Sequence, residues 1–146
     1  MNPRHADPRA ASAIQFFESL IAADVAAMGR LYTHDTHFKD PFNDVRGVAH
    51  LQRIFAHMFN TLDAPRFVVL TALVEGDQCF LTWNFVFRMK GQALARRIHG
   101  SSHLRFAKDG RIAEHRDYWD AAEEFYEKLP LLGSLLRWIK RRLSVR

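Results

Sequence analysis

The sequence predicts an α+β fold, a curved antiparallel sheet wrapped around N-terminal helices into a cone, with extra helices at the C-terminus. Three observations predict it. Before Pro65 apolar residues recur every three or four positions, which is the period of helices. From Arg66 to about Asp120 they alternate, and turns at Glu75-Gly-Asp77, Lys90-Gly-Gln92 and Lys108-Asp-Gly110 cut the alternation into four hairpin-linked strands. After Asp120 the helical period returns. Helices segregated from an antiparallel sheet define the class.

Each element follows from its residues. Residues 1–9 read as a flexible leader, and residues 10–128 as the cone domain. A helix begins at Ala10, with Ile14, Phe17, Leu20 and Ile21 on one face and Ser12 available to cap its start. Asp24 is placed to cap a second short helix, Val25–Tyr32. Thr36–Asp40 reads as a short strand stopped by Pro41, and residues 41–47 as a turn rich in Asn, Asp and Gly. Val48–Leu62 is helical, striped by Leu51, Ile54, Phe55, Met58 and Phe59. Four strands follow, Arg66–Glu75, Gln78–Lys90, Arg96–Ala107 and Arg111–Asp120. An acidic helix is expected over Ala121–Leu129, and Pro130 separates it from a last basic, amphipathic helix, with 129–146 as a C-terminal unit.

Composition narrows the function classes. A chain of 146 residues is one domain by default, and 48% apolar residues with twelve Phe suit a packed interior rather than disorder. The single Cys79 excludes an intrachain disulfide and suits a reducing compartment. No apolar run reaches the roughly 18 residues of a membrane span. The first residues are polar, unlike a signal peptide, so a cytoplasmic protein is expected. The net charge of +5 resides entirely in residues 131–146, which hold five basic residues and no acid. The formally neutral remainder argues against a nucleic-acid surface.

The chemistry concentrates in Arg111–Asp120. On a strand, Ala113, His115, Asp117 and Trp119 share one face, and Ile112, Glu114, Arg116 and Tyr118 the other. An imidazole, a carboxylate and an indole in a row suit a pocket wall better than a plain core. On the preceding strand His99, Ser101, His103 and Arg105 face away from Ser102 and Leu104. No HxxxH or Cys/His cluster supports a metal site.

The element order, Phe38-Lys-Asp-Pro-Phe42 followed by Arg46-Gly-Val48, and Gly110-Arg-Ile with Arg-Asp-Tyr-Trp-Asp120 resemble the nuclear-transport-factor-2-like superfamily over roughly residues 10–128. Its SnoaL-like polyketide cyclases, ketosteroid isomerases and limonene-epoxide hydrolases share a cystatin-like roll that hosts enzymes and non-catalytic proteins alike. The resemblance implies roles position by position. Asp40 matches the isomerases' general base, while Phe17 and Ser102 stand where their tyrosine and carboxylic acid form an oxyanion hole. Such donors are worth about 3–4 kcal/mol each, so the usual isomerase reaction is not expected. Asp117 matches the aspartate of the hydrolases' Arg-Asp-Tyr motif, but Trp83 and Phe85 stand near their other charged residues. The cyclases' pattern, one strand aspartate with a nearby histidine, fits Asp117 with His115 or Asp40.

The expected site therefore comprises Asp40, His115 and Asp117 as catalytic groups and Phe17, Phe38, Trp83, Phe85, Ser102 and Trp119 as ligand-binding wall. Structural readings remain open beside these. Asp40 can cap the Asp-Pro turn, Asp117 can pair with an arginine such as Arg97, and the aromatics can be core. The expected function is binding of a small apolar, cyclic or isoprenoid-like molecule with cofactor-independent acid/base chemistry. A non-catalytic carrier and a membrane-peripheral or scaffold protein are the alternatives, and a homodimer through the sheet is expected. The last helix carries Leu132, Leu135, Leu136, Ile139 and Leu143 as a stripe among Arg137, Lys140, Arg141 and Arg142. Packing of that stripe on the domain or on a partner is expected over contact with a membrane surface, because sixteen residues make a marginal anchor.

Overall fold

The first helix starts where a carboxylate can hold its free amides. Asp7 accepts from the backbone N–H groups of Arg9 and Ala10 at 2.9 and 3.5 Å, and Pro8 has no N–H to leave unsatisfied. A computed structural model of the chain describes residues 5–124 and 130–144, and in it helix α1 runs Pro8–Ser19. Ser12, the expected cap, lies inside this helix, because Asp7 and Pro8 are the stronger start signal. A 3-10 segment, Ala22–Arg30, replaces the expected second α-helix. Asp24 still serves its start, accepting from the Ile21 N–H at 2.9 Å. The segment stops before Tyr32, which opens the first strand instead of closing a helix.

The remaining elements are β1 (Tyr32–Lys39), β2 (Asp44–Arg46), α2 (Val48–Thr61), β3 (Leu62–Glu75), β4 (Gln78–Met89), β5 (Ala95–Phe106), β6 (Ile112–Tyr118), α3 (Ala121–Glu124) and α4 (Pro130–Leu143). Residues 125–129, the rest of the expected acidic helix, lie outside the described residues. The expected turn over 41–47 contains an edge strand, β2, paired antiparallel with His37–Lys39. Gly47 then starts α2 at φ +101°, a backbone conformation that favours glycine.

The six strands form one curved sheet in the order β2-β1-β6-β5-β4-β3, the α+β cone the sequence predicts. Three hairpins make β3 to β6 antiparallel. The β1–β6 pair is parallel, which departs from the all-antiparallel expectation. Turn chemistry fixes direction only where a hairpin joins two strands, whereas β1 leads into β2 and α2, and β6 returns beside it from across the sheet.

Helices α1 and α2 cover the inner face. Ile14 and Phe17 from α1 and Leu51 and Phe55 from α2 join Val69, Leu81, Trp83, Leu104 and Phe106 from the strands in one buried core. Each such side chain contributes about 1.5–3 kcal/mol on burial. The C-terminal helix does not join this core. Leu132, Leu135, Ile139 and Leu143 remain exposed, so the stripe is not packed on the described part of its own domain.

Candidate functional site

Two irregularities aim the site's side chains. Between β5 and β6 the register runs Phe106↔Ile112 and then Arg105↔Glu114, so Ala113 is an extra residue and the strand's parity changes there. Ile112 therefore points inward in place of Ala113, followed by His115 and Asp117. On the other side β1 bulges between Tyr32, which pairs with Ile112, and His37, which pairs with Glu114. That brings Tyr32 and Phe38 to either end of the His115 imidazole.

His115 is 4% exposed. Its Nδ1 lies 2.8 Å from the Tyr32 hydroxyl and its Nε2 2.6 Å from Asp117 Oδ1. Phe17 and Phe38 meet the ring edge-on, at centroid distances of 5.7 and 5.0 Å. From the far side the Trp83 indole N–H donates to Ser102 Oγ at 2.8 Å, and the Ser102 hydroxyl donates to Asp117 Oδ1 at 2.5 Å.

One assignment of protons satisfies all five groups. Trp83 has only a donor, so Ser102 must give its proton to Asp117, which accepts as a carboxylate. His115 Nε2–H donates to the same oxygen, and neutral Nδ1 accepts from Tyr32. The fully buried Tyr32 phenol is pushed well above its ordinary pKa by desolvation and by the Asp117 charge, so it remains a donor. Hydrogen bonds from described residues reach Asp117 only at Oδ1. Its second oxygen is the one left to serve a ligand.

All nine anticipated residues line one of two adjoining cavities. The inner one, about 20 Å³, is walled by Phe17, Trp83, Ser102, His115 and Asp117 together with Phe55, Phe67 and Val69. That is room for about one water. The outer one, about 130 Å³, is walled by Phe38, Asp40, Trp83, Phe85, Asp117 and Trp119 with Ile54, Phe55, Met58, Phe67 and Ile98. Trp83 and Asp117 stand at the junction, since both line each cavity. Among the described residues Asp117 pairs with no arginine, and Arg97 projects from the opposite face of its strand.

Asp40 lines the outer cavity, but its carboxylate is engaged. Oδ1 accepts from the backbone N–H groups of Phe42 and Asn43 at 2.8 and 2.6 Å, and the Asn43 side-chain amide reaches Oδ1 at 3.1 Å and Oδ2 at 3.2 Å. It thereby closes the turn that sets Phe42 against Trp119, 5.4 Å between ring centroids. The sequence places Tyr32 at a helix end, and from it no ligand contact is expected for Phe55, Met58 or Phe67. The α2 stripe was a visible signal for the first two of these three wall residues. Nothing local marked Tyr32. Among the described residues no group of three His, Cys, Asp or Glu side chains converges as a metal site.

Known proteins share this architecture. A Catenulispora acidiphila protein with a ketosteroid isomerase-like fold, solved in complex with trimethylamine, superposes with a TM-score of 0.70 at 14% identity over 82% of this chain and 91% of that one. An NTF2-like protein of unknown function from Burkholderia pseudomallei gives 0.69 at 13% identity, over 80% and 95% of the two chains. An LEH-like epoxide hydrolase from M. tuberculosis gives 0.65 at 18% identity, over 92% and 99%. No curated protein matches the sequence. At these identities the likeness concerns the fold alone. The sequence pattern of the SnoaL-like domain matches residues 13–115, more than half of the chain, and by that match the chain belongs to the SnoaL-like family.

Proposed function

We propose that the protein binds a small, neutral, apolar molecule in the outer cavity and moves a proton on it with Asp117. The observation that carries this reading is the Asp117 carboxylate at the junction of the two cavities, with one oxygen held by His115 and Ser102. A base held in this way needs no reorganisation when a substrate arrives. The cavity volume, about 130 Å³, is close to that of an engineered site of roughly 150 Å³ that binds benzene, so a ligand of about one ring is the size class. Among the described residues two carboxylates and no lysine or arginine line this cavity, which opposes an anionic group directed inward. His115, with Tyr32 behind it, orients Asp117 and stabilises its charge. Asp40 supports the mouth through its turn rather than by abstracting the proton. The inner cavity has space for the single water that a hydration or epoxide-opening step would consume.

The test is a panel of small cyclic ketones, alkenes and epoxides incubated with the protein in heavy water. Deuterium wash-in or ring opening, lost by about 10²–10⁴-fold in Asp117→Asn while ligand binding persists, is the expected result. Binding without any conversion, unchanged by Asp117→Asn, would instead establish a carrier. Absence of binding across the panel would discard the cavity reading itself.

A further inference from the structure

The last helix carries a surface that the cavity does not explain. At 100° per residue, Leu132, Leu135, Leu136, Ile139 and Leu143 of α4 fall within an arc of about 100°. Leu136 is half-buried, whereas Leu135 is 53% and Leu143 78% exposed. A surface helix that belonged wholly to its own domain would bury this stripe. Around it the polarity is ordered. Trp138, half exposed, and Arg142 flank one edge, with the guanidinium 5.2 Å above the indole ring, and Lys140 flanks the other. Arg137 and Arg141 occupy the opposite face.

We infer that α4 lies in the plane of an anionic lipid surface, with its leucine stripe in the acyl boundary and its flanking cations among the phosphates. Three observations select this occupant. The whole charge excess of the chain is concentrated here, five basic residues and no acid in 131–146, on an otherwise balanced protein. The helix has 14 residues and so spans only about 21 Å, and no described helix is long and apolar enough to cross a bilayer. Trp138 sits at the polar–apolar edge, where an indole is favoured at a membrane interface. A second copy is a poorer occupant. Two stripes face to face would bring the Arg142 and Lys140 edges of both copies together, and like charges would oppose the pairing. The apolar centre likewise disqualifies nucleic acid, which would want the cations contiguous. The consequence for the cavity is proximity to the phase in which apolar ligands concentrate.

The experiment is flotation of the full chain with vesicles of phosphatidylcholine alone and of phosphatidylcholine mixed with phosphatidylglycerol. Binding to the mixed vesicles, weakened by salt and at least tenfold poorer on neutral ones, is expected. Arg141→Glu with Arg142→Glu lowers binding by about tenfold or more, and Leu135→Glu with Ile139→Glu abolishes it. All four positions are exposed, so circular dichroism should report an unchanged fold. A blue shift of emission on vesicle addition, absent in Trp138→Phe, reports the insertion. Equal binding by the wild type and both double variants, or none by the wild type, overturns the inference. Loss of self-association in Leu135→Glu with Ile139→Glu, without vesicle binding by the wild type, would assign the stripe to a second copy.

Discussion

Tyr32 and Gly100 carry no chemistry of their own, yet both hold Asp117 in place. Tyr32→Phe removes the only hydrogen-bond partner of His115 Nδ1 among the described residues and leaves a buried acceptor unsatisfied. The expected cost is about 1–3 kcal/mol in urea unfolding. Any conversion that Asp117 performs should fall less than it does in Asp117→Asn. Gly100 faces the Trp83 indole so closely that a Cβ there would lie 2.5 Å from Cη2 and 2.8 Å from Cζ2. Gly100→Ala must push the indole aside, detaching its N–H from Ser102. A loss of about 1–3 kcal/mol, with an altered tryptophan emission spectrum, is expected from such overpacking. An unchanged spectrum would show that the indole has slack.

At the scale of elements, α1 is a lid whose anchoring depends on its first turn. The Arg9 guanidinium beside Asp7 lowers that carboxyl to about 2 from 3.8, helped by the Arg9 and Ala10 amides against a desolvation that raises it. The folded pKa is depressed, so the stabilisation is present above pH 3.8 and is lost as pH falls through about 2. Asp7→Ala should therefore cost about 1 kcal/mol at neutral pH, with the difference from wild type shrinking toward pH 2. Comparing thermal midpoints at pH 7 and pH 2.5 checks both the size and the sign. On β6, the extra residue at Ala113 matters more than any side chain near it. Without it, strict alternation would turn His115 and Asp117 away whenever Ile112 faces the core. The alternation in the sequence correctly grouped His115, Asp117 and Trp119, and it misplaced only Ala113 and Ile112 at the bulge.

For the whole molecule, the buried Cys79 thiol and Tyr32 phenol make the fold sensitive to alkali. Burial, with Asp7 nearby, raises Cys79 to about 11 from 9.0. Its folded pKa is raised, so its contribution is complete below pH 9 and disappears as pH climbs through 11. About 2–3 kcal/mol should be lost over that window, and Cys79→Ala should remove most of that slope in urea titrations. Tyr32 adds a further decline above pH 10, in the same direction. The outer face of the sheet presents Leu73 and Phe80 side by side, with the Phe80 ring stacked on His103 at 4.3 Å. We propose that this face pairs with a second copy. Phe80→Glu should then convert a dimer to a monomer in light scattering, and an unchanged mass would remove that proposal.

Helical and alternating periods, with three glycine turns, were enough by themselves to determine the α+β class and the strand meander. Residue type on each face also groups His115, Asp117 and Trp119, which line the cavities, whereas Phe17, Asp40, Trp83, Phe85 and Ser102 are expected there from the family resemblance. Period and face are local properties, because which face a side chain takes depends on neighbours two to four positions away. The tertiary structure decided the rest. It made β1 parallel to β6, brought Tyr32 across 83 positions to His115, gave the oxygens of Asp40 to a turn, and left the leucine stripe of α4 uncovered. Register, bulges and long-range hydrogen bonds depend on how distant segments fill one space, and no short window of sequence contains that information.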